Sequence, residues 1–558
     1  MGNSRRPRWV QTLALVSLGL GLLVGSGCPA PTDPQTNGPK GSGTLSGSGQ
    51  RDDATNASRA ATNNGDAQAG GTIGGKAVLG SGGGSTSPSG PPLRLLVVDD
   101  PDFVREFDRE WRTISDEPLE IRNVTSVELG ATMRLPPGDG VVFSEGLLGQ
   151  LAESRQIVPL PAAFWDSDRL ARRDLLETAR KREAFWGQQP YAVPLGSSMP
   201  VFLYRQDLFE ALQLSPPRDW QEFQMLADRL RSRPDLPQSE AASTDRKPGE
   251  SEEAWHGVLE PLAPGSAAIT LLVRAAAYVR HPNQYSTLFD IVTMAPRIDG
   301  PPFIRALEEL QAAHAMNPGP ALERDIHAVR RELLAGRAAA AICWPQPGAT
   351  ASASGDGSGD AVREARFDGG VEAGWMFGVA AVPGSKVVFN ADQRKWEARP
   401  EEELREPVPV WAISGRLGGV MATSRRGGAA ANLLALVATA DWGRKVLASG
   451  PRAGVSRLSQ LERPDDWVDS QLAGEPARQF AKVVADSQRL PAWMAVPRIP
   501  GRDRYLTALD EAVRKAVRGE RSVAECLEEA ATAWRGITNE LGRDAQKKAY
   551  RRCLGIEP

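Results

Sequence analysis

Side chains able to do acid–base, nucleophilic or metal chemistry are few in this chain of 558 residues. Its only histidines are His256, His281, His314 and His327, and no two have the spacing that places a metal pair on one helix face. Its cysteines are Cys28, Cys343, Cys526 and Cys553, with no C-x-x-C pair, which argues against thiolate zinc and redox sites. Cys526 and Cys553 can pair in an oxidising compartment or stay reduced, and the sequence leaves both open. No serine or cysteine has a base at motif spacing. The sequence therefore predicts a non-enzyme with no cofactor. What remains are carboxylates, hydroxyls, guanidiniums and indoles, groups that bind more readily than they react.

Several of these groups stand where apolar runs end. Leu93–Val98 reads as a buried parallel strand, closed by Asp99, Asp100 and Pro101. Phe103, Phe107 and Trp111 then follow at helical spacing. Val141–Phe143 reads as a second buried strand, closed by Ser144 and Glu145. Asp100 can accept hydrogen bonds from ligand hydroxyls, or it can serve the N-terminus of the helix that follows. Asp219 opens a helix lined by Trp220, Phe223, Leu226 and Leu230. Ala338–Trp344 is a small-residue strand that ends on an indole, and 376–382 is again strand-like. Leu506, Leu509, Val513 and Val517 form a helical stripe, and Ser522 with Glu525 caps another helix. Strands alternating with helices predict an α/β body. Residues 234–254 and 348–370 read as polar insertions, and there is no internal repeat.

The formal net charge of −3, with no Lys/Arg block after the first residues, argues against a nucleic-acid partner. Residues 29–92 are dominated by Gly, Ser, Thr, Asn, Ala and Pro and lack the apolar surface needed to offset ordering entropy. They read as a tether spanning roughly 40–50 Å. Gly70–Lys76 imitates a phosphate loop but is followed by Ala77 and preceded by no strand, so chance accounts for it. Ahead of the tether stand Arg5, Arg6 and Arg8, an apolar run from Val10 to Val24, and then Gly25-Ser26-Gly27-Cys28. The run is short and Gly-rich against the ~20 apolar residues of a membrane-spanning helix. This arrangement resembles a bacterial lipoprotein signal. The resemblance implies cleavage of 1–27 and lipidation of Cys28, so that the body is anchored at the periplasmic face or cell surface. An ordinary signal peptide cut after Gly27 is the alternative.

A second resemblance covers most of 93–558. Tyr191-Ala192-Val193-Pro194 through Val201-Phe202-Leu203-Tyr204-Arg205 is similar to a strand that crosses between two lobes. Asp207-Leu208-Phe209 and Trp220-Gln221-Glu222-Phe223 follow it. Leu333-Leu334-Ala335-Gly336-Arg337-Ala338-Ala339 leads to an aromatic residue, Trp344. Ser414-Gly415 through Ala422-Thr423-Ser424, and then Arg498-Ile499-Pro500-Gly501, Tyr505 and Gly519–Leu527, complete the order. Together they resemble the bacterial extracellular solute-binding proteins of the maltose-binding-protein type.

The resemblance implies a two-lobed periplasmic-binding-protein fold, type II-like, with a central cleft. Lobe 1 is expected over 93–197 and 384–450, and lobe 2 over 198–383 and 451–558. It implies a monomeric receptor that closes on a small solute, most simply a carbohydrate, and delivers it to an ABC permease. A sensor-kinase receptor of the same fold is the runner-up. A polysaccharide-acting enzyme would need two cleft carboxylates ~5 Å or ~6.5–9.5 Å apart.

The ligand contacts implied are Asp100, Ser144, Glu145, Ser197, Ser198, Trp344, Trp411, Arg416, Arg452 and Trp493. Among these, Trp344 is the leading candidate, as an aromatic platform for a sugar face. Its alternative is a core tryptophan, and that of Arg416 and Arg452 is an ion pair within the protein. Ser198, Leu506 and Leu147 depart from the residues that maltodextrin binders carry, so a maltodextrin-type site is not reproduced. Replacing the expected lipid acceptor, Cys28→Ser, should move the protein from the membrane to the soluble fraction, read by fractionation; unchanged partitioning would refute lipidation.

Overall fold

Short apolar runs with little polar alternation form strands buried on both faces. In the computed structural model, residues 91–557 are described except 116–117, 131–132, 233–254, 316–317, 347–374, 404, 449 and 451. The expected signal, Cys28, nearly all of the tether and the polar insertions lie outside the described residues. The main elements begin with β1 (Leu93–Val98), α1 (Pro101–Ile114), β2 (Leu119–Val124), β3 (Gly140–Ser144), α2 (Leu148–Glu153), β4 (Ile157–Val158) and β5 (Ala192–Ser197). Next come β6 (Val201–Arg205), α3 (Trp220–Arg229), β7 (His256–Leu259), α4 (Ala267–Val279), α5 (Pro301–His314), α6 (Ile326–Leu334), β8 (Ala338–Cys343) and β9 (Phe377–Ala380). The chain continues through β10 (Val387–Asn390), β11 (Lys395–Ala398), β12 (Val410–Trp411), β13 (Gly415–Met421), α7 (Gly427–Val437) and α8 (Ala440–Val446). It closes with α9 (Glu475–Ser487), β14 (Met494–Ala495), α10 (Arg502–Val517), α11 (Val523–Glu540) and α12 (Arg543–Cys553).

Two sheets organise the body. The first has the order β2-β1-β3-β13-β4, with β5 also paired to β13. β1 is parallel to β2 and β3, whereas β13 runs antiparallel to β3, β4 and β5. The second has the order β9-β6-β8-β7. In β1, Leu96 and Val98 enter one apolar core and Leu95 and Val97 the other, as the two-residue period of a strand requires. The same division places Phe202 in the first core and Val201 and Leu203 in the second, so each core continues from one sheet to the other.

Between the sheets, β5 passes into β6 through Ser198, Met199 and Pro200. Ser197 pairs with Gly415 of β13 and also bridges to Val455. Three chain passages therefore run side by side. Gly196 has φ +133°, and a Cβ there would lie 2.5 Å from the Gly454 carbonyl oxygen. Only glycine allows that approach.

The second lobe carries a thick helical layer, with α10 and α11 packed on α4 and α5. A buried ion cluster ties it together. Arg274 donates to Glu260 at 2.8 and 2.5 Å, and His314 Nε2 lies 3.2 Å from the same carboxylate. The Arg274 guanidinium also covers Trp220 at 4.6 Å and Phe223 at 4.8 Å. Burial opposes the Glu260 charge, but Arg274 outweighs it and holds this carboxyl down at about 2.

The return to the first sheet does not coincide with the limit expected at 384. The hairpin β10–β11 packs on α4 of the second lobe, and β12 pairs with β14, so the chain returns to the first sheet only at Gly415. The reason is that Val388 and Phe389, on opposite faces of β10, are both buried in its packing on α4 and β11. The last helix, α12, touches both lobes. Arg552 pairs with Glu153 of α2 at 2.9 Å, while the Tyr550 hydroxyl meets Ser286 Oγ at 2.9 Å beside Phe289. Cys343, Cys526 and Cys553 are buried free thiols. Among the described residues no helix is long and apolar enough to cross a membrane.

Glu260→Ala strands a buried guanidinium and should cost about 3–5 kcal/mol in denaturant unfolding. The exposed Glu120→Ala should stay within about 0.5 kcal/mol.

Candidate ligand site

The junction between the sheets gathers polar groups from four segments. At the end of β5, Ser198 donates to the Ser414 carbonyl twice, from its amide at 3.1 Å and its hydroxyl at 2.8 Å. β8 delivers Trp344 and, two residues later, Gln346. α6 lies alongside and supplies Ile326, His327 and Arg330. These seven residues enclose a cavity of about 20 Å³, room for about one water.

Arg330 braces this wall. Its Nη1 donates to the Trp344 carbonyl at 3.3 Å and to the Gln346 carbonyl, and its Nε lies 3.6 Å from Asp469. Its charge is thus balanced within the protein. Trp344 and Gln346 are 5% and 3% exposed. Trp344 Nε1, both amide atoms of Gln346 and His327 Nδ1 have no hydrogen-bond partner. Burial, and then the nearby Arg330 charge, depress the basicity of His327, which favours the neutral imidazole. Each orphaned polar group costs about 1–3 kcal/mol. Uncharged donors and acceptors thus converge on one small space. A hydroxyl both donates and accepts, so this wall suits a hydroxyl-bearing solute.

The other candidates fall into three groups. Asp100 is buried and caps α1, accepting from the Phe103 amide at 3.2 Å. It also accepts from Arg416 at 2.6 and 3.3 Å, and Arg416 donates in turn to the Leu447 carbonyl at 3.0 Å. Burial opposes ionisation of Asp100, but Arg416 overcomes it and holds the carboxyl below its ordinary range. Arg452 joins this cluster, donating to the Val98 carbonyl at 2.7 Å.

Trp411 and Trp493 pack against each other's strand ends, and Arg498 covers the Trp411 ring at 4.4 Å. Glu145 and Ser197 meet at the crossing, with Glu145 fully buried against Gly415. Ser144 ends β3, half-buried and in register with Arg416. Of the ten expected contacts, the cavity brings together Ser198 and Trp344. His327, Arg330, Gln346 and Ser414 were not anticipated. The one signal for the first two was their i, i+3 spacing on the helix that leads into β8.

No family model matches this sequence, and no curated protein matches it. Solved structures match its fold. An ABC transporter solute-binding protein from Agrobacterium radiobacter K84, in complex with ribitol, has a TM-score of 0.55 at 17% identity, over 80% of this chain and 99% of its own. The fold is that of the two-lobed solute-binding proteins. A second, from Agrobacterium vitis S4 with bound D-mannitol, has the same score and identity over 81% of this chain and 99% of its own. The sugar-binding protein MalE from Xanthomonas citri reaches 0.54 at 16% identity, over 81% and 98%. These likenesses bear out the two-lobed α/β architecture expected from the sequence.

The Asp100–Arg416 pair can be tested apart from any ligand. Asp100→Ala removes the carboxylate that Arg416 pairs with in a buried place and should cost about 3–5 kcal/mol at neutral pH, read by denaturant unfolding. Because the folded carboxyl is the stronger acid, this stabilisation should be present above about pH 4 and disappear as the pH falls through the depressed value.

Proposed function

We propose that this protein is an extracytoplasmic, lipid-anchored receptor that binds a small polyhydroxylated solute, a sugar or polyol, between its lobes and delivers it to an ABC importer. The observation that carries this reading is the junction cavity, where Trp344, Gln346 and His327 present unpartnered neutral groups next to Ser198. The solved structures of similar fold include proteins holding ribitol and D-mannitol. The cavity is far smaller than the ~300–1,000 Å³ of ordinary ligand pockets. Binding therefore requires the lobes to part, admit solute and close again, and contacts from both lobes supply the differential affinity. An anchor at Cys28 and the 29–92 tether would hold the receptor near its permease at high effective concentration. The carboxylates an enzyme would need are otherwise engaged, Asp100 by Arg416 and Glu145 by enclosure.

A thermal-shift screen of the full chain against monosaccharides, oligosaccharides, alditols, amino acids and phosphorylated compounds tests this reading. A bound solute at 100 times its Kd should stabilise the fold by ~2.7 kcal/mol. Trp344→Ala should weaken that solute's binding at least tenfold, about 1.4 kcal/mol, by calorimetry. Selective stabilisation by amino acids alone would refute the sugar assignment, and unchanged affinity in the variant would place Trp344 in the core instead of the site.

A further inference from the structure

Two carboxyl groups outside the cavity are enclosed where the lobes meet. Glu145 is 0% exposed and Glu183 is 3% exposed. Neither Glu145 oxygen has a hydrogen bond of good geometry. Its carboxyl lies against Gly415, where a Cβ would come within 2.3 Å of Oε1. The Ser197 hydroxyl faces both carboxyls from the strand that crosses between lobes. The pair thus sits under Ser197 and Gly415, the residues next to Ser198 and Ser414 of the cavity.

The opposite wall belongs to the segment that leads into α10, a helix packed on the second lobe. Arg498 donates to the Glu183 carbonyl at 2.8 Å and to the Phe185 carbonyl at 3.2 Å. Arg502 donates to the Ala412 and Ile413 carbonyls at 3.3 and 3.2 Å. The charged groups facing Glu145 are Glu183, Arg498 and Arg502, and those facing Glu183 include Arg498, with the Thr178 hydroxyl on its own segment. Arg502 is itself paired with Asp503 and feels Arg452. Arg498 bonds backbone carbonyls and Arg502 bonds carbonyls and Asp503; neither forms an ion pair with these carboxyls, although both charges ease the ionisation of Glu145.

We propose that the Glu145–Glu183 pair makes lobe closure proton-dependent: the closed arrangement holds a proton on each carboxyl, and parting the lobes lets water reach the pair and releases protons to solvent. Two enclosed carboxylates without an ion-pair partner cannot both be charged at low cost, and here burial outweighs the help from Arg498 and Arg502. Burial and then the neighbouring Glu183 push Glu145 well above its ordinary range, and burial brings Glu183 to about 7. A carboxyl made a weaker acid by one arrangement favours that arrangement at low pH. For Glu183 the favour is full below its ordinary value near 4.5 and is gone above about 7. Closure should therefore loosen as pH rises through neutrality. This goes beyond the receptor reading, because it involves no solute.

The test reads the separation of spin labels at Val127 and Met225, exposed positions of the first and second lobes (89% and 58% exposed), in the full chain without solute. Between about pH 5 and about pH 8 the short-distance population should fall several-fold, with a midpoint near Glu183's titration. Glu183→Gln should hold more of the short distance at about pH 8 and shift the profile, leaving only the Glu145 titration. A wild-type distance that ignores pH, or an unchanged pH profile in Glu183→Gln, would overturn the proposal. Infrared titration of the wild-type protonated-carboxyl band gives a second reading that needs no variant. Loss of that band by about pH 5 would overturn it equally.

Discussion

The close crossing of three chain passages at the lobe junction is the constraint on which the rest of this structure depends. Gly196, Gly415 and Gly454 bring backbone against backbone and carboxyl, with no room for a Cβ. That contact fixes where β5 ends, and hence where Ser198 points its hydroxyl. It fixes where β13 begins, and so the Ser414 carbonyl that receives it. It also buries whatever lies beneath. Water is excluded there, which strengthens every electrostatic interaction and raises the cost of any group left unpaired.

The junction answers that cost in two different ways. Asp100 and Arg416 lie 316 positions apart in the chain and neutralise each other through a forked contact, with a backbone carbonyl for the remaining Arg416 nitrogen. Such a pair stays ionised over the physiological range and acts as a fixed strut. Glu145 and Glu183 receive no counter-ion, although Arg498 and Arg502 are close. Arg498 is held by carbonyls and Arg502 by carbonyls and Asp503, and neither pairs with the two carboxyls. The available solution is to keep protons. Similar burial thus yields a strut in one place and a titratable group in the other, and the difference lies in where the arginine donors are spent.

This also explains what could be read in the sequence. The strands were legible because Leu93–Val98, Val141–Phe143 and Ala338–Cys343 are apolar runs of strand length, and the start of α1 was legible because Asp100 and Pro101 precede an amphipathic stripe. The order of segments around Tyr191–Arg205 and Ser414–Ser424 carried the two-lobed arrangement. Asp100 showed its residue type but not its partner, since Arg416 is 316 positions away. Glu183 was invisible, a lone carboxylate in Ala179–Glu183, a basic segment that reads as surface. Gln346 and His327 matter only through the fold that turns β8 and α6 toward Ser198. The return to the first sheet only at Gly415 was not legible, because a two-strand hairpin has no sequence signal for which lobe covers its apolar residues.

The cavity and the acid pair lie on either side of the same two residues, Ser197 and Ser198, and their energetics oppose one another. At low pH the protonated pair favours the contracted arrangement. That arrangement leaves Trp344 Nε1, the Gln346 amide and His327 Nδ1 unpartnered, each at about 1–3 kcal/mol. Parting the lobes hydrates these groups, and a solute that satisfies them lets the lobes close without that cost. The contracted state is therefore held back by the groups that would recognise the solute. On the proposed reading, such a receptor would not waste its closed form on water alone. On that reading specificity would follow from the same source, because a ligand lacking hydrogen-bonding groups would bury these atoms and satisfy none of them.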